Sequence, residues 1–351
     1  MTLHDCHHRT FASDNYAGIH PEVLAAIAAA NGGHQRAYGG DAYTARLGEV
    51  VRAQFGAHAQ VFPVFNGTGA NVVALTSMLP RWGAVIAATT SHINTDEGGA
   101  PERISGIKIL PVRTSDGKLT PELVAQQAWG WGNEHRAQPL VVSITQTTEL
   151  GTLYTPNEIA DLCDFAHSHD MAVHLDGSRL WNAAAALGCS LGEITSAAGV
   201  DVISLGGTKN GLMSAEAVVI IDPHRATGVP YVRKLTAQLS SKMRFQSAQL
   251  LALFDDDLGI RLAGHANAMA TRLRDALETD GIPADMSFTQ PTQANAVLAR
   301  LPIDAADRIR EQVAFYDWDR AAGEVRWMTS WDTTTADVDG FAALIRQQLH
   351  R

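Results

Sequence analysis

Val202-Ile203-Ser204-Leu205-Gly206-Gly207-Thr208-Lys209-Asn210-Gly211 is the stretch on which the reading of this chain turns. Its apolar, β-branched start predicts a short buried strand, and the glycines that follow break the strand into a tight turn carrying one lysine. A lysine so placed can reach back into a cleft at the strand's end. Taken alone, such a lysine is more often solvated. The stretch is not a P-loop, because that pattern needs Ser or Thr after the lysine and Asn210 stands there.

Upstream, Val173-His174-Leu175-Asp176-Gly177-Ser178-Arg179 repeats the arrangement: an apolar strand delivers a carboxylate at its C-terminal end, followed by Gly and Arg. In open α/β sheets ligands sit at that edge. By itself Asp176 reads equally well as the N-cap of the next helix. A third strand end, Phe65-Asn66-Gly67-Thr68-Gly69-Ala70-Asn71, leads into a helix expected over Val72 to Leu79. Backbone amides in such a turn, with a helix N-terminus behind them, make a phosphate site, and Thr68 adds a donor. The dinucleotide fingerprint fails here, since its third glycine would fall on Val72, so a plain turn stays open for this piece alone.

Working outward, short β-branched runs at Val61 to Phe65, Ala84 to Ala88, Lys108 to Val112, Leu140 to Ile144, Ala172 to Leu175, Val200 to Leu205 and Ala217 to Ile221 alternate with helical stretches. That alternation predicts an α/β fold with a mostly parallel sheet and helices on both faces. Thr155-Pro156-Asn157-Glu158 starts one of the helices, in which Ile159, Leu162, Cys163 and Ala166 recur at helical spacing through His169. After about residue 250 come a long helix, a strand at Ala296 to Leu301, a helix over Ala305 to Phe315, a strand at Glu324 to Met328 and a last helix. These form a smaller C-terminal α/β domain, 251–351, beside a large domain, 1–250, with a helix shared between them.

Composition narrows the function. A formal charge of -10 argues against a nucleic-acid or anionic-membrane surface, since either partner would need clustered Lys and Arg, so small molecules are the expected partners. Cys6, Cys163 and Cys189 have no metal-ligand spacing and leave an odd thiol, which favours a reducing cytoplasm over a disulfide framework. The N-terminus lacks a signal peptide's apolar core, and Cys6-His7-His8 reads as a solvated terminus, so no metal site is expected.

Together the three strand ends fit one cofactor. Pyridoxal 5'-phosphate (PLP) needs a phosphate anchor, a carboxylate to keep its pyridine nitrogen protonated and an amine for a Schiff base. Gly67 to Gly69, Asp176 and Lys209 supply these in order along the chain.

With these motifs in hand, the sequence resembles the low-specificity L-threonine aldolases of PLP fold type I, including a bacterial branch that contains L-phenylserine aldolases. Ala12-Ser13-Asp14-Asn15-Tyr16, Tyr38-Gly39-Gly40-Asp41, Ser91-His92 with Thr95-Asp96-Glu97, Ser241-Lys242-Met243-Arg244-Phe245 and Val325-Arg326-Trp327 carry the likeness along with the three strand ends. The resemblance implies the aspartate aminotransferase-like fold and a lyase that cleaves β-hydroxy-α-amino acids to glycine and an aldehyde. It implies that Lys209 forms the Schiff base, Asp176 pairs with the pyridinium nitrogen, His92 stacks on the ring, and Gly67, Thr68 and Gly69 hold the phosphate. Ser13, Tyr38, Arg179 and Arg326 would bind substrate. A homo-oligomer, a dimer of dimers, is also implied, with Lys242 or Arg244 reaching a neighbouring chain's cofactor, although that segment reads equally as a solvated helix turn.

Two departures stand out. Thr145-Gln146-Thr147-Thr148-Glu149 replaces an Asn-Thr-His segment common in the family, which leaves the acceptor of the β-hydroxyl proton open between His92 and a water. Gly-Ser-Arg at 177–179 replaces Gly-Ala-Arg, a small change that keeps Arg179 in place. The same cofactor would also serve a β-eliminating lyase or an aminotransferase, which release different products, or a catalytically silent PLP-binding protein.

Overall fold

The alternating apolar runs form the expected sheet in the computed structural model, which describes residues 3–279 and 281–349. Its seven strands are β1 (Gln60–Val64), β2 (Gly83–Ala88), β3 (Lys108–Val112), β4 (Gln138–Thr145), β5 (Ala172–Gly177), β6 (Val202–Leu205) and β7 (Glu216–Ile220). They lie in the order β1-β7-β6-β5-β4-β2-β3, and β7 alone runs against the others. Side chains of β2, β5, β6 and β7 are buried throughout, as a sheet covered by helices on both faces requires. The ends of β1, β2, β4, β5 and β6 therefore open onto one edge, where the motifs read from the sequence are delivered.

A second sheet, ordered β10-β11-β9-β8, comprises β8 (Ser287–Phe288), β9 (Ala296–Arg300), β10 (Tyr316–Asp319) and β11 (Glu324–Met328). It has its own core around Trp327, Phe341, Leu273 and Ile309. The long helix Leu258–Glu278 packs against Leu180–Leu187 on one side and Thr335–Leu349 on the other, so it joins the two cores. Position 250 lies inside the helix Arg244–Phe254.

The N-terminal arm is tied to this smaller layer. The Phe11 ring stacks on Phe341 at 4.2 Å between centroids, Phe11 N–H donates to the Ala314 carbonyl at 3.0 Å, and Met328 N–H donates to the Phe11 carbonyl at 2.8 Å. Ser13 and Asp14 follow directly and are thereby carried to the sheet edge.

Two local readings change and a third, the helix start at Thr155, holds. The helix after β1 spans Gly67–Met78, starting well before Val72, because Asn66 caps it by accepting the Gly69 N–H at 2.7 Å; the glycine turn is the helix's own first turn. The helix expected over Ala305 to Phe315 is Ile303–Arg310, and the chain then forms β10, whose polar Tyr-Asp-Trp-Asp sequence gives no strand signal. The start at Thr155 is a complete capping box with Glu158.

Candidate active site

Lys209 sits in a short 3-10 turn, Thr208–Asn210, just beyond β6. Glu216 on β7 anchors the turn by accepting the Gly207 N–H at 2.7 Å and the Thr208 N–H at 3.3 Å, and burial raises the Glu216 carboxyl to about 6. Gly206 is required by close approach: a Cβ there would lie 2.6 Å from the Ser178 backbone. Burial lowers the pKa of the lysine, Arg179 lowers it further, and Asp14, Asp176 and Glu216 oppose them. A depressed lysine pKa favours the neutral amine that forms a Schiff base.

Asp176 ends β5, buried. Its Oδ1 accepts the Ser178 N–H at 3.0 Å and its Oδ2 accepts from Asn71 Nδ2 at 2.9 Å, so it is no cap of the helix Leu180–Leu187. Burial alone would raise this carboxyl; Lys209, Asn71, His174 and His92 outweigh it and hold the pKa below the usual value. Asp176 is thus kept as a carboxylate. Beneath it, His174 bridges the Ser143 and Ser204 hydroxyls at 2.9 Å each, and burial drives its pKa down to about 4, which keeps that imidazole neutral.

Asn71 also donates to Glu97 Oε1 at 2.7 Å, and the same oxygen pairs with His92 Nδ1 at 2.9 Å. The bond to Glu97 raises the His92 pKa against the effect of burial. One chain of contacts therefore runs from Asp176 through Asn71 and Glu97 to the His92 ring and fixes its orientation.

Arg179 is held by Asp14 at two points, Nε to Oδ2 at 2.7 Å and Nη2 to Oδ1 at 2.9 Å, and Asn295 supports the same carboxylate at 3.1 Å. Nη1 is the nitrogen left for a ligand. Arg326, on β11, has no ion-pair partner among the described residues; its Nε is buried without a hydrogen bond, and its guanidinium lies 5.3 Å from the centre of the Trp318 ring. Burial and the neighbouring Arg179 lower its pKa to about 10. Two close, desolvated guanidiniums with no carboxylate on the second form an anion site.

These groups line a cavity of about 840 Å³, whose wall includes Ser13, His92, Glu149, Arg179, Lys209 and Arg326. Asp176 lies behind that wall, and the first turn of Gly67–Met78 is connected to it through Asn71. Asn66 takes the Gly69 N–H, while helical bonding leaves the N–H groups of Gly67 and Thr68 without acceptors, as an anchored phosphate requires. The side chains fit PLP: a buried amine, an ionised carboxylate behind it, an oriented imidazole and a helix N-terminus.

Tyr38 and Arg244 are not brought into this cavity within one chain. Tyr38 adopts a left-handed backbone (φ 58°), donates its N–H to the Ser241 carbonyl at 3.0 Å and leaves 54% of its surface exposed. Arg244 bonds to the Gly33 carbonyl at 3.0 Å. Both belong to one surface made by residues 33–44 and 238–245. Conversely, the sequence reading assigned no role to Asp14, Asn71, Glu97, Glu149 or Glu216. All but Glu216 fall inside the sequence motifs; for Glu97, five residues after His92, an acid close to a histidine was the available signal, whereas nothing local ties Asp14 to Arg179.

Comparison with known proteins shows the family. The family model for beta-eliminating lyases matches residues 10–302. Low specificity L-threonine aldolases from a Pseudomonas species and from Pseudomonas aeruginosa are each 42% identical to the chain, covering 96% and 97% of it and 96% and 98% of their own lengths. The chain belongs to the beta-eliminating lyase family, among its threonine aldolases. A threonine aldolase structure from Leishmania major superposes with a TM-score of 0.89 at 28% identity, covering 97% of this chain and 99% of that one. The family member is a lyase of the PLP fold type I class, and its cofactor is pyridoxal phosphate. No helix among the described residues is long and apolar enough to cross a membrane.

Proposed function

We propose that this lyase cleaves L-threonine, L-allo-threonine or L-phenylserine-type β-hydroxy-α-amino acids to glycine and an aldehyde. The observation that carries the reading is Arg326, a desolvated guanidinium without a carboxylate, beside Arg179 and in the same cavity as Lys209. The pair suits an α-carboxylate, with Ser13 as a further donor. Lys209 would hold pyridoxal phosphate covalently, the first turn at Gly67, Thr68 and Gly69 would hold its phosphate, Asp176 would keep its ring nitrogen protonated, and His92 would lie against the ring. When bound, that cofactor supplies an electron sink for negative charge at Cα. The two arginines then orient the amino acid so that the bond from Cα to the hydroxylated Cβ is the one aligned to break.

Tyr38 and Arg244, remote from this chain's cavity, are suited to complete a neighbouring chain's site, which supports a homotetramer built from dimers. The two cores support a large domain and a small one, proposed over 1–250 and 251–351 with the helix Leu258–Glu278 shared between them: the larger core takes in Leu262 and the smaller one Phe11. A net charge of -10, free thiols and a small-molecule substrate are consistent with a cytoplasmic enzyme.

The test is to incubate the purified holoenzyme with each L and D β-hydroxy amino acid and quantify glycine, aldehyde, keto acid and ammonia. Glycine with the matching aldehyde is expected, and Lys209→Ala should abolish both turnover and the visible band of the covalently bound cofactor. Keto acid and ammonia without aldehyde would assign a β-eliminating lyase instead.

A further inference from the structure

None of the roles above uses Glu149, although its carboxyl lines the same cavity as Lys209, His92, Arg179 and Arg326. We propose that Glu149 is the group that accepts the proton of the substrate's β-hydroxyl when the carbon-carbon bond breaks. This assignment rests on the aldolase reading and adds a catalytic residue to it.

The local chain is built to hold this carboxyl. Beyond β4, Gln146 is fixed on both sides: its N–H donates to the Asp176 carbonyl at 2.8 Å, its side-chain oxygen accepts the Tyr154 N–H at 3.0 Å, and its side-chain nitrogen donates to the Tyr154 carbonyl at 2.8 Å. Thr148 is clasped to Thr152 by their hydroxyls at 2.6 Å. Glu149 follows, with Oε1 accepting the His92 N–H at 2.8 Å. Oε2 is buried and has no hydrogen-bond partner among the described residues, while the Thr145 hydroxyl lies near enough to the carboxyl to lower its pKa. A buried carboxylate oxygen left without a donor costs free energy, and a substrate hydroxyl would satisfy it.

The charges facing Glu149 come from several elements: Asp176 and Arg179 at the end of β5, His92 after β2, Lys209 after β6, Arg326 on β11 and, from its own connection, the Tyr154 hydroxyl. Burial and then the Asp176 charge raise its carboxyl to about 7, with the His92 N–H among the groups pulling the other way. A base poised near neutrality can both take and release a proton. The His92 ring, by contrast, is committed through Nδ1 to Glu97.

The proposed step balances without an outside reagent. The Glu149 carboxylate takes the hydroxyl proton, and the O–H electron pair becomes the second bond of the aldehyde carbonyl. The Cα–Cβ pair stays on Cα, which takes up one proton from solvent to give glycine, while Glu149 returns the hydroxyl proton to solvent, so no net proton is gained or lost.

The competing role for Glu149 is purely to position His92 through Oε1. Glu149→Gln separates the two, because an amide oxygen can still accept the His92 N–H but cannot take a proton. In the holoenzyme, kcat for L-threonine should fall on the order of 100-fold or more with little change in KM. Exchange of glycine's α-proton with deuterium, read by NMR, involves no hydroxyl and should fall far less. In the cofactor-free wild-type protein, infrared difference spectra should show a carboxyl titrating at about 7 that the variant lacks. Wild-type kcat should rise with pH through the same ionisation. Cleavage at near wild-type rate, or cleavage and exchange falling together, overturns the assignment, as does the absence of a variant-sensitive carboxyl titrating near neutrality. If the variant does not fold, a wild-type kcat that shows no rise with pH through about 7 overturns the assignment. If wild-type enzyme yields no aldehyde, the aldolase reading itself fails; if it does and Glu149→Gln does so equally well, only the role of Glu149 falls.

Discussion

Asp14 and Arg179, 165 residues apart in sequence, form a buried two-point ion pair at 2.7 and 2.9 Å. Burial works against the charge on Asp14, yet Arg179, Lys209 and Asn295 hold its carboxyl below the usual range. The pair closes the N-terminal arm over the end of β5 and aims Arg179 at the cavity. Replacing one partner leaves the other charge uncompensated, so Asp14→Asn should cost about 3 kcal/mol of stability. It should also lower kcat/KM for the amino acid by at least roughly tenfold, chiefly through KM. Thermal unfolding and steady-state kinetics on the same preparation check both.

That pair also shows what the sequence could and could not convey. Strand ends at Asp176 and Lys209 were legible because an apolar run followed by glycine specifies a sheet edge locally, and the alternation of runs specifies the parallel sheet. Which distant residue meets Arg179 depends on the fold bringing the arm back, through Phe11 packed on Phe341, and no local pattern encodes that. Glu149 was hidden for a similar reason: a carboxylate in a polar connection reads as solvated until burial is known. β10 escaped because its partner β11, rather than its own polar sequence, makes it a strand. Tyr38 and Arg244 read as site residues by family likeness, whereas one chain keeps them apart from its cavity.

The glycines at the two strand ends should differ sharply in tolerance. At Gly206 a Cβ would meet the Ser178 backbone at 2.6 Å, and backbone cannot swing aside. Gly206→Ala should destabilise the protein by about 3 kcal/mol or more and disturb the Lys209 turn. At Gly67 nothing lies within 4 Å of the added carbon, and the position is helical. Gly67→Ala should be neutral or stabilising by about 0.5 to 1 kcal/mol. Denaturant unfolding of the cofactor-free variants measures the contrast.

Glu216 gives a pH signature to the turn that holds Lys209. Its folded carboxyl is raised to about 6 by burial, from an unfolded 4.5, so the folded protein binds more protons between these values and the contribution of Glu216 to stability is lost as pH rises through about 6. Glu216→Gln removes that dependence while keeping one acceptor for the turn's N–H groups. The stability of the variant relative to wild type, both cofactor-free, should therefore increase by about 2 kcal/mol from pH 4.5 to pH 6 and above, then level off. Urea unfolding across this range, with a flat difference as the contrary result, tests the sign.

Arg326 combines a functional demand with a stability cost, and the two can be measured apart. Its guanidinium is desolvated beside Arg179, its Nε has no partner, and its pKa is lowered to about 10 by burial and by that neighbouring charge. A structural arginine would be paired; one kept unpaired in a cavity is suited to a ligand anion. Truncating one member of a buried charge pair costs about 2 to 5 kcal/mol, so Arg326→Ala should reduce kcat/KM by roughly 30-fold to several thousand-fold. Arg326→Lys keeps the charge but not the planar fork, and should fall between the two. In the absence of substrate the effect on stability should be much smaller or reversed, because Arg326→Met removes a buried unpaired cation and retains apolar contact with Trp318. A Tm at or above wild type together with a collapse of kcat/KM would mark Arg326 as a substrate-binding group, whereas parallel losses in both would make it a packing residue.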